Sequence, residues 1–393
     1  MKKSENHNYE IAVCGGGIAG ISAALAAARE GKKVILFEKE YMLGGLGTAG
    51  LVTIYLPLCD GMGHQVSFGI AEELLRLSIK YGSEAKYPEN WLDGIGTRTS
   101  EDKRFQVRYN AQVFAILAEQ LLSGSGVDIL YGSYVIGAIV SDGTIKSLSV
   151  VNKSGIADYY VKSVVDATGD ADIAEFAETP TVVYKPGNLL AAWYYYTDQE
   201  GYDLKMLGKS KVPEILPEGK EKEMYLNTYS GLDAEELSTM SRMAHDQILH
   251  NWLERKRKNP ETVISTLPTL PQVRMTRRIV GEYTMTYEEM HKHFEDSIGM
   301  VSDWRKRGPI FEVPFRTLYN SSVKNLVVAG RCTSVDDELW DVMRVIPCCA
   351  VTGQAAGIAA AMTDDFSALD VAELQKKLQK IGVVLHESSI IEN

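Results

Sequence analysis

The hydrophobic pattern is most telling between residues 9 and 38. A short apolar run, Tyr9-Glu-Ile-Ala-Val-Cys14, meets a dense glycine break; an alanine-rich stretch reaches Arg29 and Gly31, and a second apolar run, Lys33-Val-Ile-Leu-Phe-Glu38, comes directly after. Continuous apolar runs bounded by glycine read as strands buried on both faces, and the alanine-rich stretch between them as a helix. Residues 11–28 are apolar apart from Ser22, so they also resemble a signal or membrane segment. Glu5 and Glu10 after the leading lysines, four glycines inside the run and the strand that comes at once after it fit a buried βαβ unit instead.

Farther along, Val113, Ile116, Leu117 and Leu121 recur at helical spacing and predict a helix over 111–122, ended by Gly124 and Gly126. Residues 127–130 and 133–140 are strand-like. Asp142-Gly143 turns the chain into 145–151 and Ser154-Gly155 turns it again, which predicts a small antiparallel excursion before the apolar run Val164-Val-Asp166. Residues 67–81 read as a helix and 87–103, polar with Gly and Pro, as loop. Between 181 and 324 lie an aromatic run, Trp193-Tyr-Tyr-Tyr196, a predicted helix over 234–256 and a basic strand over 273–283; an amphipathic helix is expected over 371–381. No internal repeat stands out.

A chain of 393 residues suits one large or two medium domains, and 45% hydrophobic with 24% charged residues is ordinary for a folded protein. The 41 Lys and Arg against 52 Asp and Glu leave a net charge of −11, which denies the chain a broad basic surface and argues against nucleic acid. The five cysteines (Cys14, Cys59, Cys332, Cys348, Cys349) show no Cys-x-x-Cys or Cys/His ligand spacing, so a reduced, cytoplasmic protein without a metal is expected.

The glycine break carries the chemistry. Gly15, Gly17 and Gly20 have the spacing G-x-G-x-x-G between a strand and a helix. The first permits the tight turn, the second the approach of backbone to a pyrophosphate, and the third close packing of helix on sheet. The phosphates of a dinucleotide then sit at the helix N-terminus, and Glu38, closing the next strand, accepts hydrogen bonds from a ribose diol while repelling a 2′-phosphate. This unit alone does not choose between NAD and FAD. A nicotinamide dehydrogenase would continue with a helix, whereas here the chain runs into Leu43-Gly-Gly-Leu-Gly-Thr-Ala-Gly50. Two later strands exit into Ala167-Thr168-Gly169 and Ala329-Gly330-Arg331, so three glycine exits are placed to converge on one extended dinucleotide.

These pieces, with PQVRMTRRIVGEY, VPFRTLY and RVIPCCAVTGQAAGIAAA, resemble the bacterial FAD-dependent oxidoreductases of the glutathione-reductase-type class, over about residues 9–362. The resemblance implies an α/β fold: a Rossmann-like FAD-binding domain of glutathione-reductase type with an inserted α+β substrate or cap domain. The FAD-binding segments would be 1–55, 106–180 and 325–393, the cap 181–324, and 56–105 an excursion on the cap side. It also implies noncovalent FAD. Gly15, Gly17, Ile18, Ala19 and Gly20 would lie at the pyrophosphate, Glu38 and Lys39 at the adenosine ribose, and Gly44, Gly45 and Leu46 along the ribityl and flavin. The backbone of Val135 would lie near the adenine; Ala167, Thr168 and Gly169, with Gly330, Arg331, Arg344 and Val345, complete the set. Two departures stand out: many relatives have Gly-Asp where Gly330-Arg331 stands, and a Gly-Ser pair before the Arg344 position is missing.

The expected reaction is two-electron hydride oxidation or reduction of a small organic substrate, with FAD carrying the hydride and a separate electron donor or acceptor. An NAD-dependent dehydrogenase using only the N-terminal unit, and a non-catalytic flavin-binding protein, are the alternatives. Arg344 suits the flavin or a substrate carboxylate, or else an ion pair with Asp337 or Glu338. Strand alternation would put Arg274 and Arg278 on one face and Arg277 on the other, suiting an acidic substrate if they face a cleft and a solvated edge if not. His64, on a flexible loop, is a candidate acid or base, or a surface histidine. His291-x-His293 lacks a third ligand in sequence, and Cys348-Cys349 reads as packing. No membrane insertion is expected, and an oligomer is left open.

Overall fold

The computed structural model describes residues 7–87 and 106–391; all of the expected loop over 87–103 except Tyr87 therefore lies outside the described residues. Strand β1 (Ile11–Cys14), helix α1 (Ile18–Arg29) and β2 (Val34–Phe37) come first. Helix α2 (Ala111–Gly124) leads into β3 (Asp128–Leu130), then β4 (Ser163–Asp166), and far along the chain β5 (Leu326–Val328) and helix α3 (Ile346–Met362). The five strands form one parallel sheet in the order β5-β4-β1-β2-β3. All but the edge strand β3 are buried along their whole length, which is why their sequences are unbroken apolar runs. The register aligns their ends: Cys14 lies opposite both Phe37 and Asp166, and Asp166 opposite Val328. Four strands thus end in one line, and their exits open on the same side.

Helices α1 and α3 pack almost backbone to backbone. A Cβ at Gly353 would stand 2.3 Å from the carbonyl oxygen of Ala19, and one at Gly357 2.2 Å from that of Ala23. Alanine keeps α1 narrow and strongly helical, and glycine is the residue α3 can offer at that separation.

Residues 127–130 depart from expectation. They do not join the antiparallel excursion; the crossover helix α2 returns the chain beside β2, and Asp128–Leu130 pairs with it in parallel. The excursion itself is a four-stranded sheet of Tyr134–Ser141, Thr144–Asn152, Gly155–Tyr160 and His7–Asn8. A separate three-stranded antiparallel sheet has Ala192–Asp198 between Gly201–Leu207 and Val263–Thr266, with helix Ala234–Lys258 against it. Its hydrophobic cluster runs from Leu189 to Val273. Asp233 caps that helix by accepting from the Glu235 and Glu236 N–H groups.

The basic strand expected over 273–283 shrinks to Arg277–Ile279, paired with Thr181–Val183. The cause is a side chain: Asn188 Oδ1 accepts from the N–H groups of Arg274 and Met275, taking that segment out of any ladder. Arg274 and Arg278 therefore do not share a strand face. The pair Ser297–Ser302 and Ile310–Pro314 and the helix Ile70–Ser78 join the main core with α1 and α3. Among the described residues no single helix is long and apolar enough to cross a membrane; Asp337–Met343 and α3 pass that test only jointly, bent by 88°, and both are largely buried.

Candidate functional site

The exits of β1, β2, β4 and β5 surround a cavity of about 460 Å³, within the ~300–1,000 Å³ usual for small-molecule clefts. Gly15 leaves β1 with φ +102°, and a Cβ there would stand 2.5 Å from the Ala167 carbonyl oxygen, so the turn demands glycine. Gly20 does not face the cavity; a Cβ there would strike the Gly15 carbonyl, so its role is to seat α1 on the sheet. Gly17 differs from both. It lines the cavity, caps α1 with ordinary φ −69°, and has nothing within 4 Å of where a Cβ would stand. That open cradle at a helix N-terminus fits a phosphate. The second glycine loop is held against it: the Gly44 N–H donates to the Gly16 carbonyl at 2.8 Å, and Gly17 and Gly44 form a parallel bridge.

Glu38 reaches back over the first turn. Its carboxylate accepts from the N–H of Gly16 at 2.6 Å and of Glu40 at 2.8 Å, while burial raises its pKa above the usual carboxylate range. Two backbone donors thus orient a carboxylate on the cavity wall, suited to diol recognition. Asp166, at the end of β4, is buried and accepts from Thr168, Ile173 and Ala174, which fixes the Ala-Thr-Gly turn.

The other expected residues fall on the same wall: Ile18, Ala19, Lys39, Gly45, Leu46, Val135, Ala167, Thr168, Gly169, Gly330, Arg331, Arg344, Val345 and Arg274. Arg331 has its guanidinium committed to the protein itself. It donates to the carbonyls of Val273 and Arg274 and pairs with Asp170 at 3.3 Å. Arg344 pairs with Asp341, through Nε at 2.9 Å and Nη2 at 2.6 Å, and with neither Asp337 nor Glu338. Asp341 stands one helical turn before Arg344, whereas Asp337 lies two turns back.

Arg274 is the unusual group. Among the described residues its guanidinium has no hydrogen-bond or ion-pair partner, yet it lines the cavity beside Arg344. Desolvation first, then repulsion from Arg344, push it down to about 10, so it stays charged at neutral pH. Trp193 Nε1 and Gln272 Oε1, on two further wall residues, are buried without a partner among the described residues. His64 stands apart. It does not line the cavity, and its Nδ1 lies 2.9 Å from the buried carboxylate of Asp60. Cys349 lines the wall as a thiol pushed up to about 11 by burial, and Cys348 is buried behind it.

Sequence reasoning passed over Asp172, although the Asp-Ala-Asp after the Ala-Thr-Gly turn was its signal. It lines the cavity, and burial, then Asp170 and Asp166, push it up to about 6 against the opposing pull of Arg277 at 2.9 Å. The folded chain therefore holds this proton more firmly than the unfolded chain does, and Asp172 costs stability as pH rises through about 6. Asp172→Asn is expected to raise the thermal midpoint of the cofactor-free protein at pH 7 and to have no effect near pH 4. A pH-independent difference between the two proteins would refute the assignment.

Comparisons with known proteins give the family. A family model described as FAD dependent oxidoreductase matches residues 10–188 and 184–378. A stretch of 176 residues is 28% identical to the tRNA uridine 5-carboxymethylaminomethyl modification enzyme of Alkaliphilus oremlandii, covering 41% of this chain and 24% of that protein. Another of 201 residues is 26% identical to digeranylgeranylglycerophospholipid reductase of Picrophilus torridus, covering 48% and 46%. The matches thus span less than half the length of these curated relatives. Among solved structures, a geranylgeranyl bacteriochlorophyll reductase-like protein of Thermoplasma acidophilum aligns over 95% of this chain and 82% of its own, at 14% identity and a TM-score of 0.47.

Proposed function

Because the chain belongs to the FAD-dependent oxidoreductase family, and is an enzyme with FAD as its cofactor, we propose that it carries out two-electron chemistry on a small molecule held by a carboxylate between Arg274 and Arg344. Bound FAD supplies the hydride-exchanging ring; the residues of this chain bind, orient and exclude water. Gly15, Gly17, Ile18 and Ala19 take the pyrophosphate, Glu38 and Lys39 the ribose, and Val135 the adenine, all without a covalent link. Gly44, Gly45 and Leu46, with Gly330 and Val345, flank the ribityl and ring. In this reading the chain divides as a glutathione-reductase-type domain (1–55, 106–180, 325–393) with an inserted cap, whose body is the cluster from Leu189 to Val273. His64, turned to Asp60, takes no part.

The observation that carries the reading is the partnerless Arg274 on the cavity wall. A guanidinium with no protein acceptor on a cavity wall is free to take an anion, and a planar carboxylate meets it with two parallel hydrogen bonds. Arg344, whose Nη1 has no partner among the described residues, stands ready to share that charge.

The test is an anaerobic titration of FAD-loaded protein with acetate, benzoate and succinate, each beside its amide, monitored by the flavin absorption. The acids should perturb the spectrum and the amides should not. Arg274→Met should keep its FAD and weaken acid binding roughly 10- to 150-fold, the worth of about 1.5–3 kcal/mol for a charged hydrogen bond. Equal binding of acids and amides would defeat the proposal, and so would loss of FAD, rather than of the acid, in Arg274→Met.

A further inference from the structure

Away from the cavity, three ligand-type side chains from separate segments meet. His293 precedes the strand Ser297–Ser302, Glu312 lies within Ile310–Pro314, and His386 comes after the helix Val371–Lys380; each presents one ligand atom within 4.8 Å of the others. The two imidazoles converge on the same carboxylate oxygen, Glu312 Oε2, with His386 Nδ1 at 2.9 Å and His293 Nδ1 at 3.5 Å. Their rings lie 4.5 Å apart, tilted by 39°. Glu312 is buried, its side chain 4% exposed, while that of His293 is 55% exposed.

From this convergence we propose that His293, Glu312 and His386 bind a divalent transition-metal ion, zinc by the chemistry of the ligands. Two imidazoles and one carboxylate form an N, N, O set that zinc favours and that magnesium and calcium, which take oxygen ligands, do not. Tetrahedral zinc with bonds of about 2.0–2.2 Å needs ligand atoms roughly 3.3–3.5 Å apart; His293 Nδ1 and Glu312 Oε2, 3.5 Å apart, already meet that, and the His386 ring has to withdraw by about half an ångström from its 2.9 Å contact with the carboxylate. The carboxylate is already oriented: the Phe294 N–H donates to Oε2 at 2.9 Å and the Glu387 N–H to Oε1 at 3.0 Å. Backbone donors behind a ligand are the usual means of fixing one. The contact between His293 and Glu312 is too long for a good hydrogen bond and has the separation of two ligands of one ion. Glu295 Oε1, 3.5 Å from Nε2, stands at the other nitrogen of the His293 ring, where a carboxylate usually supports a ligating imidazole; a water would take the fourth position.

None of the three residues lines the cavity. The ion is therefore a clasp, tying the segment after Val371–Lys380 to the pair Ser297–Ser302 and Ile310–Pro314, and turnover does not require it. His291, the other histidine of the His-x-His pair, faces Glu387 at 2.8 Å and is no ligand.

The test uses untagged, FAD-loaded, full-length protein, stripped with a chelator and titrated with zinc chloride by calorimetry, with metal content measured after dialysis. One zinc per chain and a higher thermal midpoint are expected. The double variant His293→Ala/His386→Ala should lose at least about a hundredfold in affinity, beyond the ~10- to 100-fold typical of losing a supporting residue, while His250→Ala binds as the unaltered protein does. Should the double variant not fold, His293→Ala, whose ring is exposed, is read alone. No zinc in the unaltered protein, zinc held equally by the variants, or the same stabilisation by magnesium or calcium would each overturn the assignment.

Discussion

Gly17→Asp is expected to yield a folded, colourless protein whose affinity for FAD has fallen by at least about a hundredfold. The fold should tolerate the change, because Gly17 has ordinary extended backbone and open space where a side chain would begin. The whole cost then falls on the ligand. The new carboxylate stands at the start of α1, where the free N–H groups would otherwise meet the pyrophosphate, and two like charges about 4 Å apart repel by up to ~4 kcal/mol near a protein surface. Some 3 kcal/mol of that is already more than a hundredfold in binding. Quenching of FAD fluorescence on titration with cofactor-free protein measures the loss, and thermal unfolding of the two cofactor-free proteins should coincide. Wild-type affinity in Gly17→Asp would place the pyrophosphate elsewhere.

Gly357→Val is expected to do the reverse, destroying the fold whatever the cofactor does. Its Cβ would stand 2.2 Å from the Ala23 carbonyl oxygen and 2.9 Å from its Cα and carbonyl carbon, all backbone atoms that cannot rotate away. Helices α1 and α3 would have to separate, opening the centre of the main hydrophobic cluster. Overpacking typically costs ~1–3 kcal/mol and more when backbone must move, a large share of the ~5–15 kcal/mol that holds a protein folded. Soluble yield and the urea midpoint report it. Gly124→Ala, at the end of α2 with open space around it, should instead stabilise by up to ~1 kcal/mol. A Gly357→Val protein as stable as the parent would contradict the close packing of the two helices.

The part of the fold legible in the sequence is the part specified locally. β1, α1 and β2 are read from unbroken apolar runs and glycine spacing within thirty-odd residues, and Glu38 from its place at the end of a strand. What escaped is what distant side chains decide. Asn188 takes the N–H groups of Arg274 and Met275 and so removes Arg274 from the strand that alternation predicts. The pairing of β3 is decided by a crossover, since its own pattern suits either sheet. His293 finds its companions only through tertiary contact, because Glu312 and His386 lie in other elements of the chain. Periodicity reports which face of an element is buried and says nothing of which remote group it meets.

The close seating of α1 on α3 also sets an order of events. A chain made from its N-terminus completes the glycine turn and α1 early, yet the partner of that helix arrives only with residues 346–362. Until then the face carrying Ala19 and Ala23 is bare, and β5 has no α3 behind it to which Gly330 is tied through Thr352. The early half of the nucleotide cradle therefore waits during synthesis for its late half, with an apolar helix face exposed to whatever chaperone or neighbouring chain meets it first.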